Sequence, residues 1–342
     1  MRQEIQEQPA VLARLLSSAR PAVERVARLV RERSPAAVVM VARGSSAHAA
    51  LYGKYLFETM AALPTALAAP SVATLYGRSP RLARTLVVGV SQSGASPDVV
   101  EVVRRARADG ALTVAITNEP AAPLAGVAEH VLPLDAGVER SVAATKTCTA
   151  AMALLALLVG AASRRAGLVR GVDRLPEAVA GALSCAGAMQ AVAERWRDVD
   201  RCLVLGRGYN LATAREAALK LVETSRVLAA AYSAAELLHG PAALLDERIP
   251  TLLFAARGPA VPTLGPIVRR CTRAGAEVVA VGDASEVLGQ STTPVVVDLP
   301  VPEALTPIPL AIPAQWLAYF LARARDLDPD RPPGLRKITR TR

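Results

Sequence analysis

Short apolar runs without alternation punctuate the chain, and between them lie longer stretches whose apolar residues recur at about the 3.6-residue helical period. Runs at Ala36 to Ala42, Pro64 to Ala69, Thr85 to Val90, Leu112 to Thr117 and His130 to Leu134 read as strands. A second series reads the same way at Cys202 to Leu205, Pro250 to Ala255, Glu277 to Gly282 and Pro294 to Leu299. Helices are expected from Val11 to Arg33, from Ser46 to about Met60, from Pro97 onward, over a long region from Ala143 to about Arg195, and from about Pro313 to Arg325. Buried strands separated by helices imply parallel sheets covered on both faces, an α/β architecture. The two series keep a nearly constant offset, 164 from Gly44 to Gly208, 166 from Thr85 to Thr251 and 165 from Val114 to Val279. Two tandem doubly wound domains related by internal duplication follow. The expected divisions are an arm and helix at 1–33, a first domain at 34–185, a second at 186–328 and a closing tail at 329–342.

Composition narrows the functional classes. The 342 residues are 52% hydrophobic and 20% charged, with only 3% aromatic, so small aliphatic side chains must build the cores. The net charge of +10 comes from arginines spread along helical patterns, without a basic block interleaved with aromatics. Solubility and attraction of an anionic substrate are therefore expected, and nucleic acid is not. Cys148, Cys185, Cys202 and Cys271 are far apart and lack metal-ligand spacing, so they read as buried structural thiols, with no metal and no redox cofactor. The N-terminus has no apolar leader segment, and the longest apolar run, Ala150 to Ala162, is too short to span a bilayer. A cytoplasmic location away from membranes is the expectation.

The candidate chemistry begins where the third run ends, at Ser91-Gln92-Ser93-Gly94-Ala95-Ser96. Hydroxyls, an amide and a glycine between a buried strand and a helix N-terminus favour an anion, and the stretch reads as a phosphate cradle. Gly44-Ser45-Ser46 at the neighbouring strand end could grip the same phosphate from a second side. Neither GxGxxG nor GxxxxGK[ST] occurs, which argues against dinucleotides and P-loop nucleotides. In the second series the corresponding Ala255-Ala256-Arg257-Gly258-Pro259 has lost its hydroxyls, leaving one complete cradle and one active site per chain. Only four of the 40 Lys and Arg residues are lysines, at 54, 146, 220 and 337, a hint that amines are needed there. Lys220 and Glu223 share one helix face; such a pair is ordinarily a surface ion pair, yet the Ala and Leu around it leave room for a partly buried Glu acting as a base. His239, before Gly240-Pro241, is either a helix-end cap or a proton-transfer group. His48 and His130 read as structural, and the segment from Arg331 to Thr339 as a basic tail that its prolines and glycine could shape into a fixed loop.

Taken together, Ser91-Gln92-Ser93-Gly94, Ala143-Ala144-Thr145-Lys146, Leu205-Gly206-Arg207-Gly208, Glu216-Ala217-Ala218-Leu219-Lys220 with Glu223, and Glu236-Leu237-Leu238-His239-Gly240-Pro241 resemble the sugar isomerase (SIS) double-domain family over nearly the whole chain. The match is to the isomerase half of glucosamine-6-phosphate synthase and to stand-alone SIS-type glucosamine-6-phosphate deaminases. It implies flavodoxin-like domains in which Ser46, Ser91, Gln92, Ser93 and Ser96, beside Gly44 and Ser45, bind a sugar phosphate, and Val142 meets the sugar through its backbone. It further implies that Glu223 moves a proton between C1 and C2, that Lys220 supports it, that His239 enters from a homodimer partner to help open the ring, and that Lys337 closes over the substrate. Ala144 and Pro333 depart from the synthase pattern, which has Ser and Arg there. Met1 is followed by Arg2, and the SIS-like region starts within about thirty residues, where the synthase begins with a glutaminase whose nucleophile is an N-terminal Cys. No built-in ammonia source is therefore expected. Deamination of glucosamine 6-phosphate to fructose 6-phosphate is the resulting expectation. The same chemistry on galactosamine 6-phosphate or a fructosamine 6-phosphate, a glutamine-independent synthase-like isomerase, and a non-catalytic sugar-phosphate sensor are the alternatives.

Overall fold

The computed structural model describes residues 1–337. It contains two five-stranded, all-parallel sheets, and the chain packs as two compact units. One unit holds Ala10–Glu139 and Lys146–Asp173 with Arg336 and Lys337; the other holds Met1–Pro9, Arg140–Thr145 and Arg174–Leu335.

The first unit is built on β1 (Ala37–Ala42), β2 (Thr65–Leu67), β3 (Thr85–Val90), β4 (Leu112–Thr117) and β5 (His130–Pro133), in spatial order β2-β1-β3-β4-β5. All six residues of β4 are buried, which explains its unbroken apolar reading. The strand order reverses between β1 and β3, whose ends lie side by side with Ala42 opposite Val90. Their carboxyl ends lead into α1 (Ser45–Met60) and α2 (Pro97–Ala108). A crevice outside such a reversal is where open α/β sheets hold ligands. Helix α3 (Lys146–Ala162) is buried from Lys146 through Ala161 and packs on α1. It is apolar all round, as a core helix must be.

The second unit repeats the plan with β6 (Arg201–Gly206), β7 (Leu228–Ser233), β8 (Thr251–Ala255), β9 (Val278–Gly282) and β10 (Thr293–Val296), ordered β10-β9-β8-β6-β7. Read from the other edge this is the order of the first sheet, so the duplication expected from the constant offset is present. Helix α4 (Asn210–Ser225) follows β6, and α5 (Pro307–Ala324) packs against it.

Three expectations are corrected. Strand β7 is missing from the sequence reading because Ala229-Ala230-Ala231 belongs to the residue type with the highest helix propensity. The long helix expected over 143–195 is four helices, Lys146–Ala162, Ala166–Val172, Leu175–Ala182 and Ala186–Arg195, with a left-handed turn at Arg164 (φ 53°) and a proline at the start of the third. The last helix begins at Pro307 instead of Pro313, because a proline in the first turn gives up an N–H that has no helical partner there. With its preceding turn it makes Glu303–Ala324 a stretch long and apolar enough to cross a bilayer, but 89% of its apolar window is buried inside the protein, which marks a core helix. All four cysteines are buried and free, and burial pushes the Cys185 and Cys202 thiols up to about 12.

Candidate active site

At the β1–β3 crevice the two loops are stapled together, since Arg43 Nε donates to Asp98 Oδ2 at 2.6 Å and Asp98 is itself buried. Ser91, only 5% exposed, accepts the Gly94 amide on Oγ at 3.1 Å, and Ser93 Oγ accepts the Ala95 amide at 3.3 Å. A hydroxyl that accepts from its own loop keeps its proton to donate outward, so both serines rigidify the loop and remain anion donors. Ser96 stands at the N-cap of α2 without making a side-chain cap bond, so its hydroxyl is not spent on the helix. Gly44 (φ 54°) precedes α1, which places Ser45 and Ser46 in a first turn whose amides have no intrahelical partners. Gln92 is half-buried on the same loop; its carbonyl accepts the Asn118 amide at 3.1 Å and ties the cradle to the end of β4.

Gly94 sets the shape of this loop. Its φ is +59°, and a Cβ there would fall 2.6 Å from Ala122 Cβ and 2.9 Å from Thr117 Oγ1. Gly94→Ala should cost about 2 kcal/mol or more from left-handed strain and collision. A lower denaturant midpoint together with weaker binding of inorganic phosphate would register the change; an unaltered midpoint would show that the loop does not depend on this glycine.

The equivalent loop in the second unit is bonded to a carboxylate of its own unit. Asp283 accepts the Arg257 amide on Oδ1 and Arg257 Nε on Oδ2, each at 2.7 Å. Gly258 (φ 151°) is backed by Glu303, whose carboxyl is raised above its ordinary range by burial. The lost hydroxyls of the sequence therefore coincide with a loop in which the Arg257 amide and Nε are already bonded to a carboxylate of the same unit.

Three of the four lysines sit among carboxylates or in the core. On α4, Lys220 is 0% exposed; it ion-pairs with Glu223 one turn on and lies 3.6 Å from Glu216 one turn back. The surface reading of this pair does not hold. An ammonium in the core persists only with paired charge. Glu223 is the more open carboxylate of the two, with 21% of its side chain exposed against 3% for Glu216. Lys146 is buried at the start of α3. Lys337 donates to Glu139 Oε2 at 2.8 Å, so the segment read as a tail is fixed at this residue. The fourth, Lys54, is a half-exposed structural lysine that bonds Glu58 and the Thr65 carbonyl.

Val142 lies on a loop anchored within the second unit. Its amide donates to the Asp330 carbonyl at 3.1 Å, while Ser141 Oγ donates to the Pro329 carbonyl and the buried Glu4 accepts the Arg140 and Ser141 amides. The amide being committed, the carbonyl of Val142 is the backbone group able to accept from a sugar. His239 is exposed at the end of a 3-10 turn, Glu236–His239, instead of a longer helix, and Gly240 (φ 137°) reverses the chain after it. The described hydrogen bonds do not join it to Lys220 or Glu223. Two carboxylates escaped the sequence reading as site residues, Glu139 and Glu216. For Glu216 the i, i+4 spacing to Lys220 was an available signal; for Glu139 only the folded chain brings Thr147 and Lys337 to it. Among the described residues no group of three or more His, Cys, Asp or Glu could hold a metal ion.

The family pattern described as SIS domain matches residues 33–161 and 197–322. Among curated proteins, a glutamine–fructose-6-phosphate aminotransferase (isomerizing) of Thermus thermophilus is 36% identical over 352 residues, covering 98% of this chain and 58% of the relative. The enzyme of the same name from Pyrococcus horikoshii is 32% identical, covering 98% and 57%. The chain thus spans less than three-fifths of the length of these relatives. Among solved structures, a Silicibacter pomeroyi protein named as a candidate phosphosugar isomerase is 40% identical with a TM-score of 0.88, covering 96% of this chain and 99% of its own. The C-terminal domain of the Francisella tularensis glucosamine-fructose-6-phosphate aminotransferase has the same fold, with a TM-score of 0.88 at 24% identity over 97% of this chain and 98% of its own.

Proposed function

From the premise that the chain belongs to the SIS domain family, we propose that it isomerises an amino-sugar phosphate and releases the amine as ammonia, with glucosamine 6-phosphate as the leading substrate. The observation that carries this reading is the buried Lys220 beside the partly open Glu223 on one helix, in a chain that also has a hydroxyl-lined anion loop. A carboxylate held by a buried ammonium, with one side accessible, is suited to take a proton from carbon and return it one position away. The relatives' names, which couple fructose 6-phosphate to amine transfer, support the substrate class.

In the proposed reaction Ser91, Gln92, Ser93, Ser96 and Ser46 hold the phosphate, and the Val142 carbonyl accepts from the sugar. His239, supplied by the second subunit of a cytoplasmic homodimer, assists ring opening. Glu223 takes the C2 proton of the open-chain aldehyde and delivers it to C1; the C2–N bond becomes an imine as the C1 carbonyl becomes an alcohol. Water then adds to the imine carbon and ammonia leaves, giving fructose 6-phosphate. Each substrate consumes one water and yields one ammonia, so no redox step is needed.

The test is a panel of glucosamine 6-phosphate, galactosamine 6-phosphate and fructosamine 6-phosphate assayed for ammonia and for the sugar phosphate formed, a ketose phosphate from the first two and an aldose phosphate from the third. Turnover of the first supports the leading substrate, turnover of another reassigns it, and phosphate-ester binding without turnover of any would make the chain a sensor.

A further inference from the structure

Glu139 is a fully buried carboxylate with no part in the proton transfer proposed above. Its Oε1 accepts the Thr147 amide at 3.1 Å, and its Oε2 accepts the Thr147 hydroxyl at 2.7 Å. These donors belong to the first turn of α3, where backbone amides lack helical partners and a carboxylate is favoured. The same Oε2 takes the Lys337 ammonium at 2.8 Å, across 198 positions of sequence. Lys337 keeps 25% of its side chain exposed while Glu139 keeps none. The carboxylate is therefore the fixed member of the pair, held by a core helix, and the lysine is the member it positions.

We propose that Glu139 is a positioning residue that latches Lys337 onto the start of α3. The proposal rests on the reading of Lys337 as a group that closes over the sugar phosphate, and it adds the element that brings this amine to its place. Its physical basis is the asymmetry of a buried ion pair. Removing the charge from the buried partner forfeits a charge-assisted hydrogen bond and leaves the ammonium facing a neutral group in a low-dielectric setting. Glu139→Gln is the informative change, because the amide oxygen can still accept the Thr147 amide in the place of Oε1, while the amide nitrogen, in the place of Oε2, faces Lys337 and can donate to the Thr147 hydroxyl.

The scarcity of lysine makes the latch measurable. Acetylation by an amine-specific ester, quantified by peptide mass spectrometry, reads each of the four lysines separately, with the half-exposed Lys54 as internal reference. Lys337 should label more slowly than Lys54 in the wild-type protein and about tenfold faster in Glu139→Gln, the factor that loss of one charge-assisted contact produces. In turnover, Glu139→Gln should lower kcat as Lys337→Ala does, and the double variant should fall no further than Lys337→Ala alone, as expected for residues acting as one unit. Unchanged Lys337 labelling in Glu139→Gln, or kcat losses that multiply, would overturn the latch. If Glu139→Gln fails to fold, Glu139→Asp keeps the charge but withdraws it by one methylene, and an unchanged labelling rate there overturns the proposal equally. Absence of turnover in the wild type would sink the proposed function, while the labelling result would still decide the latch.

Discussion

Glu223→Gln is expected to lower turnover of the amino-sugar phosphate about a thousandfold, within the range associated with removal of a general base, while leaving its binding nearly intact. The isosteric amide can still accept from Lys220, and Lys220 keeps Glu216 at 3.6 Å, so the buried ammonium does not lose its charge compensation. The phosphate loop is built from other residues, with Gly94 and the Ser91 and Ser93 hydroxyls setting its shape. The effect should therefore fall on kcat, with KM and calorimetric affinity little changed. Loss of affinity in parallel with kcat would indicate that Glu223 binds the sugar instead of moving its proton.

The second large effect is on stability. Lys220→Met should destabilise the protein by about 3 kcal/mol and abolish turnover, since it withdraws the cation from between two carboxylates, of which Glu216 is 3% exposed. Lys54→Met is the control, because its pair with Glu58 is half-exposed and such pairs are worth ~1 kcal/mol or less. Urea unfolding of both variants checks the contrast. Equal midpoints would mean that burial of Lys220 carries no energetic consequence and that the core pair is not the tuned element it is taken to be.

Much of the fold was legible because the sheets are buried on both faces. Runs such as Leu112 to Thr117 have no polar alternation to obscure them, and their recurrence at one offset revealed the duplication before any strand pairing was known. The same offset added to Thr65–Leu67 falls within Leu228–Ser233, the strand that local propensity concealed, so the repeat held information that residue-by-residue reading did not use. The cradle loops were legible for a local reason, since hydroxyls and glycines at a strand end serve the backbone of that same turn. Glu139 was not, because its meaning lies in partners 8 and 198 positions away. Lys220 was legible in type and spacing, but its burial depends on α5 packing against α4, which nothing in the local sequence encodes. Loss of the second cradle showed as missing hydroxyls, whereas the Asp283 carboxylate seated on the Arg257 amide was visible only in the folded loop.

The most direct measurement is incubation of the purified wild-type protein with glucosamine 6-phosphate, following ammonia and fructose 6-phosphate together. Equal amounts of both, formed at a rate that Glu223→Gln reduces about a thousandfold, are the expected result. A protein that binds glucosamine 6-phosphate yet forms neither product, or whose product formation is untouched by Glu223→Gln, would contradict it.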